Sequence, residues 1–497
     1  MPGDPQVRAG LRTALRWFAM TRRTKIIATM GPSTQDPEVL RGMVAAGMDV
    51  ARLNFSHGAP DDHRRMAEWI RRAAEAEGRS VGILQDIQGP KLRLGRFPDG
   101  PRRLECDETV EVIPGRTAEG DAVPIVYDGL LRDVGEGDRV VLADGLVSLR
   151  VTAVEEDRLR TKVEVAGSVS DRKGVAFPDS DLDTPTITEK DEADLAIGRE
   201  IGVDYVAVSF VRSGADIERV RSLTGSVPLI AKIELASGYE RLDEILAVAD
   251  GAMVARGDLG VQYPIQRIPA IQEEILQRTN RAALLSITAT EMLESMTHAP
   301  RPTRAEVTDV TNAVHNGTDA VMLSGETAVG DYPVRVVEVM STICEEADLA
   351  PTAHRVDFLS QVPTFASAAA KAAVQMVEDL DLHTIVAFTE SGTTARLLSK
   401  YRPEASVVAF TPEPDVFRRM SLYRGVRPCM FDRRDTTDLM LAAAEKQLEK
   451  DGLAEKDEVV VMVAGIPPNQ QASTNLLKLH VIGERSRRGT RRFGAAD

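Results

Sequence analysis

Two short stretches near the middle of the chain carry residues able to do chemistry, IAKIE (230–234) and VARGDLG (254–260). Side chains in a strand alternate faces, so Lys232 and Glu234 point one way and Ile233 the other. The second stretch ends in Arg256-Gly257-Asp258, with a glycine that lets backbone amides approach a ligand. An ammonium and two carboxylates at the ends of successive strands would hold a divalent cation beside a fixed positive charge. Phosphoryl transfer calls for that arrangement, because its catalysis is mostly positioning and charge stabilisation. Lys-x-Glu alone reads sooner as a buried ion pair. The Gly-Asp element, repeating the strand-end pattern one unit later, favours a site.

The elements that must position these groups alternate along the chain. Short apolar or β-branched runs lie at 24–32, 48–58, 81–89, 205–213, 228–234, 251–260, 283–292 and 320–328, with amphipathic helical stretches such as 36–47, 215–225 and 268–282 between most of them. Eight strands with intervening helices suit a parallel (β/α)8 TIM barrel, and the chemically interesting residues fall at the carboxyl ends of the runs, where barrel active sites sit. A doubly wound open sheet alternates in the same way, and periodicity does not separate the two. Residues 91–174 alternate apolar and polar with Gly/Asp turns and read as an inserted small β-barrel lid domain. The expected division is an N-terminal extension (1–23), a catalytic barrel (24–90 and 175–345), the lid (91–174) and a C-terminal α/β domain (346–497), entered through a linker, PTAHRVDFLSQVP. That last domain carries strand-like runs at 383–390, 405–412 and 457–465.

At 497 residues the chain is too long for one core. Its 61 Lys and Arg against 76 Asp and Glu leave a net charge of −15, which argues against nucleic acid as a partner. Cys106, Cys344 and Cys429 form no C-x-x-C pair and fit a reducing compartment. No apolar run is long enough to span a bilayer, and a cytoplasmic protein with no membrane partner is expected. The Arg-rich first twenty residues fit a disordered extension or an upstream start, with translation beginning at Met20.

The motifs VARLNFSHG, AKIE, VARGDLG, ATEMLESMTHAPRPTRAE and MLSGETAVGDYP, in this order on a barrel with a lid and a C-terminal α/β domain, resemble the pyruvate kinase family. The resemblance runs from Thr24 to about Glu484 and implies transfer of the phosphoryl group of phosphoenolpyruvate to ADP, giving pyruvate and ATP. It implies Lys232 as the catalytic lysine, Glu234 and Asp258 as ligands of Mg²⁺ or Mn²⁺, and Gly257, Asp258 and Thr290 as the carboxylate site. Thr290 would also lie on the proton route to the enolate. Arg52 and Arg93 would embrace the phosphoryl group, a task for which a planar guanidinium is suited. Asn54, His57, Arg93 and Lys173, with Arg172 beside it, would meet the nucleotide. His57 also reads as a capped turn residue, and Lys173 as an ordinary solvated turn. Arg301 and Arg304 read as structural or intersubunit charges, and Ser324 and Glu326 as buttresses of the site. A homotetramer is the family's usual assembly.

Three further expectations concern departures and regulation. Many family members need K⁺, held in the region of Asn54, Ser56 and Asp86, and carry a glutamate after the Gly-Pro of the third strand. Here Lys91 takes the glutamate's place and Ile87 lacks a threonine hydroxyl, so K⁺ independence is expected. The segment Thr389-Glu390-Ser391-Gly392-Thr393-Thr394, before a helix beginning near Ala395, reads as a plain cap or as a phosphate cradle. In the second case Thr389, Ser391, Gly392, Thr393 and Thr394 would bind a sugar phosphate or AMP, with Lys400 or Arg402 nearby, and make the enzyme allosteric. Glu291 (usually glutamine), Leu235 (usually polar) and His315-Asn316-Gly317-Thr318 (usually Leu-Asp-Gly-Ala) depart from the family pattern. A non-catalytic sensor on the same scaffold, or another metal-dependent enzyme acting on enolpyruvate, would share the barrel. Retention of Arg52, Lys232, Glu234, Asp258 and Thr290 argues against the first, and the lid with Lys173 against the second.

Overall fold

A computed structural model describes residues 22–349, 364–467 and 474–483. The expected extension therefore lies outside the described residues except for Arg22 and Arg23, and so does the expected linker. The chain divides into a unit of residues 24–354 and a second unit comprising 355–497 with 1–23.

The first unit is built on a closed barrel of eight parallel strands, Lys25–Thr29, Val50–Asn54, Gly82–Asp86, Tyr205–Val208, Leu229–Ile233, Gly251–Ala255, Leu285–Ala289 and Ala320–Leu323. The eighth pairs with the first, which excludes the open-sheet alternative. Seven of the eight are buried at every position, because a parallel sheet wrapped by helices has no wet face. The second is half-buried at Arg52 and Asn54, two of the residues expected to do chemistry. Register sets the chemistry: Asn54 lies opposite Asp86, Ala207 opposite Asp86, and Lys232 opposite Met253.

Between the third and fourth strands the chain leaves the barrel to form the lid. Its main sheet has six strands, running from Val175–Ala176 at one edge to Val123–Ile125 at the other, around a core that includes Leu104, Val112, Leu149 and Val163. Arg93 bridges to Gly174, beside the first edge, and Leu94 to Ile125 on the other, so the incoming segment nearly closes the sheet.

The second unit is a five-stranded sheet in the order Val426–Met430, Ser406–Thr411, Thr384–Phe388, Val459–Ala464, Leu476–Val481, the last antiparallel, with its own core around Phe388, Phe410 and Phe431. Its edge strands are additions to the three expected. Val426–Met430 contains Pro428, which donates nothing to a ladder and belongs at an edge.

Candidate active site

At the carboxyl end of the barrel a buried charge cluster forms around Lys232. Its Nζ lies 2.8 Å from Glu234 Oε1 and 3.2 Å from Asp86 Oδ1, and donates to Ser209 Oγ at 2.7 Å. The alternation argument holds, since Lys232 and Glu234 touch. Arg52 donates to Asp86 Oδ2 through Nε at 2.7 Å and to Thr29 Oγ1 through Nη1 at 3.0 Å, leaving Nη2 without a partner among the described residues. Burial alone would raise the Asp86 carboxyl, but Lys232 and Arg52 outweigh it and hold it below its ordinary value. Burial would likewise strip the proton from Lys232, and Asp86 with Glu234 overcomes that, leaving a firmly charged ammonium. For Glu234 burial wins, and Asp258 adds to it, so the carboxyl sits above its usual range despite Lys232.

Asp258 stands in a short helix, Arg256–Gln262, that follows the sixth strand directly. Gly257 and Asp258 occupy its first turn, whose amides have no intrahelical acceptor. Gly257 donates its amide to Thr290 Oγ1 at 2.9 Å, and the Thr290 hydroxyl donates to the Ala289 carbonyl at 2.6 Å. Thr290 and Glu291 both adopt left-handed backbone, with φ of 70° and 52°, a strain that surrounding structure must hold. Arg256 holds it: the guanidinium donates to the carbonyls of Ala289 and Thr290 and pairs with Asp309 at 2.6 Å. Glu326 accepts from the amides of Ser324 and Leu293, tying the end of the eighth strand to the loop after the seventh.

Other expected residues are less concentrated. Asn54 Oδ1 accepts from the Ser56 amide at 3.1 Å. His57 is exposed, and its carbonyl lies 3.0 Å from His63 Nε2. Arg93 donates to the Arg172 carbonyl at 3.0 Å where the lid joins the barrel, and Lys173 beside it is exposed. The grouping of Lys91 with Asn54, Ser56 and Asp86 is not formed by direct contacts among the described residues. Lys91 Nζ pairs instead with Asp144 of the lid and with Asp258, each at 3.6 Å, while Asp86 is engaged by Arg52 and Lys232. Lys91, Asp144, Glu234, Gly257, Asp258 and Glu291 all line one cleft of about 920 Å³ between lid and barrel.

These two carboxylates suit a hard divalent cation. Oxygen donors on successive strand ends face the cleft, and Mg²⁺ characteristically takes one or two carboxylates and fills its shell with water and substrate oxygens. Among the described residues no group of three or more His, Cys, Asp or Glu side chains forms a protein-only metal cage.

Comparison with known proteins settles the family. Residues 21–337 match the family model described as pyruvate kinase, barrel domain, and residues 367–480 match pyruvate kinase, alpha/beta domain. The chain belongs to the pyruvate kinase family. It is 43% identical over 476 residues to a pyruvate kinase of Mycobacterium tuberculosis, covering 94% of this chain and 99% of that one. It is 41% identical over 474 residues to one from Corynebacterium efficiens, with the same two coverages. A crystal structure of a pyruvate kinase from Cryptosporidium parvum superposes with a TM-score of 0.87 at 34% identity, covering 94% of this chain and 97% of that one. The chain is thus a phosphotransferase of the pyruvate kinase class, and no described helix is long and apolar enough to cross a membrane.

Three residues of the site were given no role by the sequence: Arg256 within VARGDLG, Ser209 in the run at 205–213 and Asp144 in the lid. Ser209 supports the lysine, Arg256 clamps the strained turn, and Asp144 reaches from the lid. Nothing in their spacing marks these partners, because each contact joins separate strands or domains.

In the second unit the Thr389–Thr394 segment is compact. Thr389 Oγ1 accepts from the Gly392 amide at 2.9 Å, Ser391 and Thr393 hydroxyls lie 3.0 Å apart, and Thr394 bonds Thr474 at 2.8 Å. The helix starts at Thr393, ahead of Ala395, with Gly392 left-handed at φ 84° and no side-chain cap. Ser391 and Thr393 stay exposed, whereas Thr394 is buried. Lys400 is buried in the helix's last turn, about 10 Å along the axis from its start. Arg402 follows the helix and is buried as well.

Proposed function

We propose that this chain transfers the phosphoryl group of phosphoenolpyruvate to ADP and protonates the enolate that remains, with Mg²⁺ or Mn²⁺ held by Glu234 and Asp258. The carrying observation is the buried Lys232 ammonium, fixed by three oxygens, one of them from Glu234, which lines the cleft together with Gly257 and Asp258. The cation, when bound, would neutralise phosphoryl charge and relieve the repulsion between the two carboxylates. Arg52, braced on Asp86 and Thr29, turns its unused Nη2 to the phosphoryl oxygens, with Arg93 opposite at the lid root. Lys232 follows charge from the bridging oxygen to the enolate oxygen without reorganising. The substrate carboxylate takes the first-turn amides of Gly257 and Asp258, displacing Thr290 from Gly257. The Thr290 hydroxyl serves the proton route by turning from the Ala289 carbonyl to water, because a threonine is too weak an acid to act alone. Asn54, His57 and Lys173 flank the nucleotide.

Three finer readings accompany this one. K⁺ is dispensable, since Asp86 already has two cations on it and the buried Ile87 offers no hydroxyl. Ser391 and Thr393, exposed at a helix start beside Thr389 and Gly392, receive a sugar phosphate or AMP and regulate the enzyme. The protein works in the cytoplasm as a homotetramer. The deciding experiment is ADP-dependent pyruvate formation from phosphoenolpyruvate, with and without chelation of divalent metal. A protein that binds these ligands and forms no pyruvate would be the sensor, and one that consumes phosphoenolpyruvate without ADP would be another enzyme.

A further inference from the structure

We infer that Asp144 is a positioning residue that latches the lid through Lys91, and that the latch couples closure of the nucleotide side of the cleft to Asp258. This rests on the reading above, in which Asp258 holds the metal and the lid covers the nucleotide.

One ammonium joins three parts of the molecule. Lys91 sits in the segment that leaves the barrel, Asp144 at a turn of the lid, and Asp258 at the sixth strand's end; each carboxylate stands 3.6 Å from Nζ. The turn is built for this reach. Ala143 and Asp144 both adopt left-handed backbone, with φ of 53° and 56°, in residues that carry a Cβ. The Asp144 amide donates to the Gly174 carbonyl at 3.4 Å, so the lid's exit segment supports the turn from below. Gly174 also clears the space: a Cβ there would lie 2.3 Å from Asp144 Oδ1 and 3.2 Å from Lys91 Cε. A side chain at 174 would therefore push the Asp144 carboxylate away from Lys91 where the two charged chains cross the lid root. The side chains of Lys91, Asp144 and Asp258 are 30%, 52% and 34% exposed, so the latch is reversible and weakened by salt, as a device that must open and close requires.

The same ammonium cannot grip Asp258 at full strength while a divalent cation occupies that carboxylate. Metal and nucleotide arriving at Asp258 compete with Lys91 there, and its remaining partner is then Asp144. Loading of the site thereby strengthens the hold on the lid.

The test is a cycle of Asp144→Asn, Lys91→Met and the double variant, with amide hydrogen exchange at residues 91–94 and 172–175 beside steady-state kinetics. Each single variant is expected to raise KM for ADP about two- to fivefold, the scale of a partly exposed ion pair. KM for phosphoenolpyruvate should change little, and exchange at the lid root should quicken. The double variant should be no worse than either single one, and Asp144→Glu should recover part of the loss. Additive effects, or an unchanged ADP KM with unchanged exchange, overturn the latch. If Asp144→Asn does not fold, Gly174→Ala tests the same crossing and should raise KM for ADP in the same way; an unchanged KM there also overturns it. Absence of pyruvate formation by the unaltered enzyme would instead defeat the proposed function, so the two failures are distinct.

Discussion

Lys232→Met removes the ammonium and keeps roughly the bulk of the side chain. The lost group lies 2.8 Å from Glu234 and 3.2 Å from Asp86, carboxylates whose side chains are 1% and 2% exposed. Breaking a buried pair typically costs about 3–5 kcal/mol. Arg52 still holds Asp86 at 2.7 Å and the Phe210 amide still donates to Glu234 at 2.7 Å, so the low end, about 3 kcal/mol, is expected. The chemical loss is separate. Removing one preorganised charge where charge develops lowers kcat on the order of a hundredfold or more, equivalent to about 2.7 kcal/mol of barrier. The assay is pyruvate release at saturating metal and both substrates, with thermal melting of the same preparation. Lys232→Arg is the control: it restores charge and part of the melting temperature, but its larger planar head does not fit the three-oxygen socket and kcat stays low. A folded Lys232→Met protein with more than about a tenth of the wild-type kcat would refute the role.

Arg256→Met should release the Thr290–Glu291 turn, lowering kcat/KM for phosphoenolpyruvate about tenfold, a shift of about 1.4 kcal/mol, with Asp309→Asn showing a smaller loss; equal activity across all three would show the turn holds itself. Activity in buffer free of K⁺ and Na⁺ should match activity with K⁺; strong activation on adding K⁺ would refute that reading. Burial, the largest influence, lowers the imidazole of His63, while the His57 carbonyl, Asp194 and Asp62 oppose it and Lys190 assists. Stability from this group is full above the ordinary value of about 6.5 and declines as pH falls below it towards the folded value. The melting-temperature gap between wild type and His63→Gln should therefore narrow on acidification, and a constant gap would contradict this. Ser391→Glu should abolish any response of the substrate curve to a sugar phosphate or AMP; a response that survives places the effector elsewhere.

The barrel was readable because its strands are continuous apolar runs, a pattern imposed by burial on both faces, and because each run ends in the residue that matters. Lys232 and Glu234 could be set side by side from alternation alone, and their contact follows. The strand at Val426–Met430 escaped because an edge strand with a proline has weak alternation, and Leu476–Val481 because this edge strand is half-buried almost throughout and shows no alternation. The partners of Lys91 escaped for a related reason. A lysine's reach is long enough to join any of several carboxylates, and only the folded lid decides which.

The pairing of Arg93 with Gly174 has a consequence for how this chain can be assembled and altered. The lid's two tethers leave the barrel side by side, so to the barrel the whole insertion resembles a tight turn. Loop-closure entropy is small when the ends are already tied, and the lid carries its own apolar core. Once the lid has folded and tied its ends, the barrel completes its circle of strands as if across a tight turn, and the lid can be exchanged for one of different length at this single gate. Excision from Lys91 to Gly174 with a short glycine bridge is the modular cut the architecture invites, leaving a barrel that folds and a site open to water.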